Sequence, residues 1–233
     1  DNGIVSHEYG HGISNRLTGG PSNITCLQNA EQAGEGWGDY VALMMTTNWA
    51  TTSTSDGPLP RTMGTYAVGE TATGEGIRNY PYSTSLTVNP LTYAHMGLGA
   101  VFPWKFSTGT EIHNTGEIWN VALWEMTWGL IQQEGINSNL FNAAGNGGNS
   151  ISIKLVVEAM KLQPCSPGFL DSRNAILAAD QNLYGGAHLC TIWAAFAKRG
   201  MGYSASQGSS FSATDQTAAY DLDPFLKGAT PTG

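Results

Sequence analysis

Residues 1–20 read DNGIVSHEYGHGISNRLTGG, and this stretch predicts an α-helix from residue 4 to residue 13. Asp1 or Asn2 is placed to cap the helix, because a short polar side chain there can accept hydrogen bonds from its first free backbone N–H groups. The turn-forming cluster GGPSN at residues 19–23 ends the unit. Gly10 is small enough to let a neighbouring segment approach the helix closely.

Two histidines of this helix, His7 and His11, are four residues apart. Side chains at that spacing lie on one helix face, one turn above the other, so both imidazoles can bind a single cation. Glu8, one residue after the first histidine, is expected to project near the same edge of the helix without binding the metal. Its carboxylate can take a proton from water on the metal and hand it to a leaving amine. The motif predicts a catalytic zinc site, whereas a chance arrangement on a solvated helix is the alternative.

A third protein ligand would leave one tetrahedral position open for water, and we expect Glu35 to provide it. Asp39 lies four residues later on the same predicted helix face. From there it can accept the second ring N–H of a zinc-binding histidine and orient that ring. Glu31 shares the face and is the competing ligand. We prefer Glu35 because Asp39 accompanies it at the i+4 position.

The composition describes a globular chain with a polar but weakly charged surface. Of 233 residues, 41% are hydrophobic and only 12% are charged, against a usual charged share of roughly 25%. The net charge of -8 argues against nucleic acid and anionic membranes as partners, since both favour a basic patch. No apolar stretch is long enough to span a membrane. We interpret the lack of a signal peptide as processing, and the Gly-rich polar surface as extracellular.

The remaining pattern predicts a mainly α chain with long ordered loops. Residues 51–110 are rich in Thr, Ser, Gly and Pro and show little periodicity. We expect one helical subdomain over residues 1–225 and a linker-like tail over residues 226–233. A tryptophan stripe on the third helix is interpreted as core and comprises Trp119, Trp124 and Trp128. Five helices are predicted after the first, at residues 30–49, 117–133, 150–162, 167–184 and 190–198.

Several motifs, in order, resemble those of the fungalysins, a family of secreted zinc endopeptidases. They are HEYGHGISNRLTGG (7–20), GEGWGD (34–39), GIRNYPYST (76–84), IHNTGEIW (112–119), LQPCSP (162–167) and RNA (173–175). The resemblance implies the zinc ligands His7, His11 and Glu35 and the general base Glu8. It also implies a thermolysin-like architecture, of which this chain would be the C-terminal helical subdomain with the active-site helix. An N-terminal propeptide and a β-rich upper subdomain of the same precursor would be its partners.

Three further residues are candidates for substrate and transition-state contacts. The resemblance implies that His113 stabilises the tetrahedral oxyanion, and the alternative is a helix-start histidine bonded to local backbone. It also implies that Arg78 holds a substrate carbonyl, and the alternative is an arginine tying a loop to Glu75. Tyr80, like Tyr82, could donate to the oxyanion or simply pack.

The other chemistry-bearing residues receive structural interpretations. We interpret Glu117 as structural, and His95 and His188 as packing or surface residues. The sequence predicts a disulfide between Cys165 and Cys190, with Cys26 unpaired within the chain or bonded outside it. The triplet Asn23-Ile24-Thr25 is a glycosylation sequon if the host modifies it.

Two functions follow from these residues. The first is an extracellular endopeptidase with one Zn²⁺, acting on internal bonds of polypeptides through Glu8 and His113. The second is a zinc-binding fragment that lacks catalysis because the upper subdomain, whose edge strand would pair with the substrate, is missing. Calcium is considered as a second cofactor, without assigned ligands.

Overall fold

The structure is a computed structural model that describes residues 1–98, 102–105 and 110–226. The described residues form six α-helices and three 3₁₀ turns, with isolated β-bridges but no extended strand. The chain is therefore mainly α, as the sequence predicted. The helices are α1 (Asn2–Leu17), α2 (Gly34–Thr46), α3 (Ile112–Glu134), α4 (Gly148–Leu162), α5 (Phe169–Tyr184) and α6 (Leu189–Lys198).

The first helix is capped as predicted and is longer than predicted. The Asp1 carboxylate accepts from Gly3 N at 2.8 Å and from Ile4 N at 3.3 Å, which satisfies two free donors at the start of α1. The helix continues to Leu17 and ends just before Gly19, whose φ of +76° is a left-handed conformation that glycine adopts without strain.

The second helix begins later than residue 30, because the chain around Glu31 makes tertiary contacts instead. Glu31 N donates to Ser210 O at 3.0 Å, and its side chain accepts from the Tyr93 hydroxyl. The first helical bond of α2 runs from Trp37 N to Ala33 O at 2.9 Å. Gly34 is therefore the first helical residue, which places Glu35 in the first turn.

The core is built around α3, which packs against α2, α4 and α6. Trp119, Trp124 and Trp128 of α3 are at most 3% exposed, so the prediction that this stripe is core is confirmed. Trp119 makes an edge contact with Trp37 of α2, with ring centroids 5.0 Å apart. Burial of large aromatic side chains contributes strongly to stability, and here it fixes α2 against α3.

The described loop between α2 and α3 is held by a buried arginine of α6's C-terminal end. The Arg199 guanidinium donates to the carbonyl oxygens of Asn89, Leu91 and Ser83 at 2.7–3.0 Å and is paired with Glu125 of α3. A guanidinium suits this task because its five donors point in fixed directions. The loop that contains Arg78 is thus ordered by the helical core.

The disulfide joins Cys26 to Cys165, so the predicted pairing of Cys165 with Cys190 is wrong. Ser166 N donates to Cys26 O at 2.8 Å, which aligns the loop after α1 with the loop after α4. The two Cα atoms lie 4.6 Å apart, within the range of a disulfide. Cys190 lies in the first turn of α6 and is a free thiol.

No helix in the described ranges is long and apolar enough to cross a membrane. Of the predicted linker-like tail, Leu226 lies in a 3₁₀ turn, Pro224–Leu226. Residues 227–233 lie outside the described part of the chain.

Candidate metal centre

Three side chains from α1 and α2 converge on one point. His7 Nε2 lies 3.1 Å from Glu35 Oε2, and His11 Nε2 lies 3.6 Å from Glu35 Oε1. One ligand atom from each of these residues lies within 4.8 Å of the others, and within the described ranges they form the group that could hold a metal ion. The structure therefore brings together the three predicted ligands.

Close contact between α1 and α2 depends on two glycines. A Cβ built on Gly10 would lie 2.8 Å from the Gly38 Cα, so a side chain there would push the helices apart. A Cβ on Gly38 would lie 2.8 Å from two ring atoms of His7. The absence of both side chains gives the His7 ring its place between the helices.

A second glycine pair brings α3 against the carboxylate ligand. A Cβ on Gly36 would lie 2.4 Å from Gly116 O, and a Cβ on Gly116 would lie 2.4 Å from the Glu35 Cβ. Glycine within a helix costs about 1 kcal/mol relative to alanine. The glycines on both sides of Glu35 therefore have a packing reason, because α3 fixes the direction of the Glu35 side chain.

Asp39 organises the side of His7 that faces away from the metal-binding point. Its Oδ1 lies 2.7 Å from His7 Nδ1, and because an ionised carboxylate only accepts, the ring proton is on Nδ1. When the ring is neutral, this tautomer carries its lone pair on Nε2, where a cation can bind. Arg78 donates to Asp39 from Nε at 2.6 Å and from Nη2 at 2.8 Å, and the Tyr82 hydroxyl also donates to Asp39.

The electrostatic environment of the site favours positive charge at His7. Burial opposes the charge, but hydrogen bonds with Asp39 and Glu35 raise the pKa of His7 to about 9. Burial likewise opposes ionisation of Asp39, yet the charge of Arg78 and the bond with His7 hold the pKa of that carboxyl well below its ordinary value. A place that stabilises a proton on a buried imidazole also suits a metal cation.

His113 reaches the same point from the first turn of α3, rather than from a loop before the helix. Its Nε2 lies 3.4 Å from Glu35 Oε2, and its Nδ1 lies 2.5 Å from Glu111 Oε1. Glu111 also caps α3 by accepting from His113 N at 3.0 Å. The His113 side chain is 48% exposed, so it stands at the rim of the site.

Arg78 is tied to the site and not to the loop carboxylate considered as its alternative partner. Glu75 pairs instead with Lys105, at 3.0 Å. Arg78 is 6% exposed, and both of its donor groups described above point at Asp39. Its predicted contact with a substrate carbonyl stays a prediction.

The chain after Arg78 is anchored by a buried carboxylate of α3. Glu117 Oε2 accepts from Asn79 N at 2.9 Å and from Asn79 Nδ2 at 2.8 Å, while Oε1 accepts from Tyr80 N at 2.8 Å. Tyr80 is half-buried and its ring packs against Phe102, with centroids 6.5 Å apart. The structural interpretation of Glu117 fits these bonds, and the substrate role of Tyr80 stays a prediction.

The two remaining acidic candidates differ sharply in environment. Glu8 is exposed on α1, one residue after His7. Glu31 is fully buried and bonded to Tyr93, and it does not belong to the group around Glu35. The structure therefore offers no support for Glu31 as the competing ligand.

Sequence reasoning missed several partners that the fold creates. Tyr82 was considered as an oxyanion donor, but it is fully buried and donates to Asp39. His188 was interpreted as a packing residue and is buried, but its Nδ1 lies 2.6 Å from Asp180 Oδ1. The eight-residue separation of that pair spans the turn between α5 and α6, so no helical periodicity signals it.

The residues present fit zinc. Two imidazole nitrogens and one carboxylate form a donor set used by catalytic zinc sites, and the tautomer of His7 is fixed by Asp39 as such sites require. The paired histidines on α1, the glutamate after the first of them and the carboxylate from α2 form the His-Glu-x-x-His pattern that is typical of zinc metallopeptidases.

The chain belongs to the fungalysin metallopeptidase family (M36), whose sequence profile matches residues 1–205. An extracellular metalloproteinase of Aspergillus terreus is 44% identical over 206 residues, which is 86% of this chain and 30% of that protein. One from Pyricularia oryzae is 44% identical over 215 residues, 89% of this chain and 31% of that protein.

A third relative, from Pyrenophora tritici-repentis, is 41% identical over 229 residues, covering 94% of this chain. It is also described as an extracellular metalloproteinase. The chain spans less than a third of the length of these three relatives, at 30–32%.

Proposed function

We propose that this chain is the metal-binding helical part of a secreted zinc endopeptidase with a thermolysin-like architecture. The observation that carries the proposal is the convergence of His7, His11 and Glu35 on one point, with Glu8 beside them on α1. Relatives described as extracellular metalloproteinases support both the chemistry and the secretion. Extracellular polypeptides are the substrates that this class of enzyme implies.

In this proposal the chain's own residues bind the metal and move protons. His7 Nε2, His11 Nε2 and the Glu35 carboxylate would hold zinc, which when bound supplies a Lewis acid that polarises the scissile carbonyl. Glu8 accepts the proton of the attacking water and passes it to the leaving amine. Its exposed position on α1 lets it face a peptide that approaches from solvent.

Three residues would act on the substrate around this centre. His113 Nε2, which faces Glu35, donates to the oxyanion that forms during attack. Arg78 keeps Asp39 in place and lies next to the centre, with Nη2 3.9 Å from Glu35 Oε2, and it would hold a substrate carbonyl through the donors that do not bond Asp39. Tyr80, which is half-buried and two residues after Arg78, would contact the substrate from the same loop segment.

The alternative function is metal binding without efficient catalysis. All of the metal ligands lie in this chain, whereas about two-thirds of each relative's length lies outside the matched region. If that unmatched region positions the peptide, as a β-rich upper subdomain would, this chain holds zinc and hydrolyses poorly. No calcium ligands are proposed.

The test is Glu8→Gln in the purified chain. Because Glu8 moves protons and does not ligate, the variant should retain zinc while peptide hydrolysis falls by about 10²–10⁴-fold. Zinc is measured by metal analysis, and hydrolysis with a quenched peptide, with and without chelator. Glu158→Gln, in a helical carboxylate of α4 paired with Lys161, is the matched control and should change neither quantity.

Two results would contradict the proposal. Loss of zinc in Glu8→Gln would show that Glu8 is a ligand, and a chain that binds no zinc would remove the metal centre. Zinc binding without measurable hydrolysis in the unmodified chain would favour the alternative function.

A further inference from the structure

The turn that follows α1 presents a glycosylation triplet to solvent. Asn23-Ile24-Thr25 is the one Asn-x-Ser/Thr triplet without proline in the 233-residue sequence. All three residues are exposed, and Ile24 is 54% exposed even though it is apolar. A glycosylation triplet can be modified where it is exposed on a surface turn of a secreted protein, and this triplet is exposed on such a turn.

Both polar atoms of the Asn23 side chain make contacts within the chain. Its Oδ1 accepts from the Thr25 hydroxyl at 3.2 Å, so the two polar groups of the triplet already contact one another. Its Nδ2 makes a weak contact with Cys165 Sγ at 3.8 Å. An N-linked sugar leaves one N–H on that nitrogen, and the contact with sulfur can therefore persist.

We propose that Asn23 carries an N-linked oligosaccharide, an inference that rests on the proposed secretion of the chain. The donor would be an oligosaccharide on a lipid diphosphate. The bond between Asn23 Nδ2 and C1 of the first sugar forms, the C1–O bond to the diphosphate breaks, and Nδ2 loses one proton. The lipid diphosphate leaves with the electron pair, so no oxidant or reductant is required.

A glycan at this position would leave the metal centre open. The turn follows the C-terminal end of α1, whereas His7 lies ten residues before Leu17, about 15 Å along the helix axis. The sugar would stand beside the disulfide instead, because Asn23 lies three residues before Cys26 and beside the exposed Cys165. A glycan there would increase the solubility of the surface around the disulfide that links the loops after α1 and α4.

The experiment directs the full chain into the secretory pathway of yeast with a host signal sequence. Intact mass is measured before and after peptide-N-glycosidase, on both secreted and retained protein. The unmodified chain and Thr25→Ser, which keeps the triplet, should carry a removable glycan. Asn23→Gln and Thr25→Ala, which destroy it, should show the mass of the bare polypeptide. After enzyme treatment the Asn23 peptide should contain aspartate.

Bare Asn23 in both the secreted and the retained protein would overturn the inference, as would a glycan that persists in Asn23→Gln. Zinc content is measured on the same enzyme-treated samples. A chain that carried no glycan before enzyme treatment but binds zinc would refute this inference alone. A glycosylated chain that binds no zinc would refute the proposed metal centre and leave the modification intact.

Discussion

Asp39 is the residue on which the orientation of His7 depends, and its substitution gives a direct prediction. Asp39→Asn removes the charge that holds His7 Nδ1 and leaves Arg78 without its buried partner. We expect zinc affinity to fall by about 10–100-fold, because partners of metal-binding histidines orient the ring and raise its basicity. Competition with a chelator of known affinity measures the change.

The matched control is Asp180→Asn in the second buried Asp–His pair. Asp180 is fully buried and lies 2.6 Å from His188 Nδ1, which nearly reproduces the geometry of Asp39 with His7. It does not belong to the metal-binding group, so zinc affinity should be unchanged. Equal losses of affinity in the two variants would mean that Asp39 acts through general stability.

Glu31, which lies outside the metal-binding group, should make the free energy of unfolding depend on pH. Burial raises the pKa of Glu31 to about 7, and the charges of Asp171 and Asp215 act in the same direction. In the unfolded chain the ordinary value is 4.5. Between these two values the folded state holds a proton that the unfolded state has lost, so the free energy of unfolding falls as pH rises through this window.

Glu31→Gln should remove this dependence, because an amide is neutral throughout. Between about pH 5 and about pH 8 the free energy of unfolding should fall by about 2 kcal/mol less in the variant than in the unmodified chain. Denaturant unfolding at both pH values, in chelator to remove metal linkage, measures the difference. Parallel pH profiles would show that Glu31 ionises in the folded state as it does in the unfolded chain.

At the scale of elements, the two halves of α3 have different tasks. The first half supports the metal centre, and the second half holds Arg199, which binds the loop between α2 and α3. Glu117 anchors residues 79 and 80, next to Arg78, whereas Glu125 pairs with Lys198 and Arg199. Both carboxylates are buried on the same helix, two turns apart. Glu117 therefore supports the metal centre, whereas Glu125 supports the fold.

Glu117→Gln and Glu125→Gln should each lower the free energy of unfolding, by about 1–3 kcal/mol, because buried donors lose an acceptor. Only Glu117→Gln should weaken zinc binding, by less than the 10–100-fold expected for direct histidine partners. The physical reason is that loosening residues 78–82 weakens the hold on Asp39. Thermal unfolding and chelator competition are the measurements, and equal zinc affinities would contradict the expectation.

At the scale of the whole molecule, the described residues form an open apolar groove beside α1. Val5 and Tyr9 of α1 are 69% and 73% exposed, and Met45 of α2 and Val157 of α4 are each 38% exposed. These residues line a groove with a volume of about 310 Å³. Exposed apolar surface of this kind favours association when nothing covers it.

A longer form of the protein, matching the full length of the relatives, should hydrolyse peptides much faster than this chain at equal zinc occupancy. Positioning of reacting groups is worth roughly 7–11 kcal/mol in model systems, and we expect the region of the relatives outside the match to supply it. The rate ratio is measured with one quenched peptide, and sizing shows whether the shorter chain associates. Comparable turnover would mean that the helical part is self-sufficient.

The sequence by itself determined the features that depend on neighbours along the chain. The cap at Asp1, the six helices and the shared face of His7 and His11 follow from helix geometry, which is local. Even the close approach at Gly10 could be anticipated, since a small residue in a helix permits it. The three predicted ligands could therefore be named before their positions were known.

Only the tertiary structure decided which distant segments meet. Cys165 lies 139 residues from Cys26 and 25 from Cys190, yet it bonds to Cys26 because two loops align there. Arg78 pairs with Asp39 rather than with nearby Glu75, because α2 presents a buried carboxylate to it. Periodicity along a chain does not predict such contacts, because they depend on how helices pack in three dimensions.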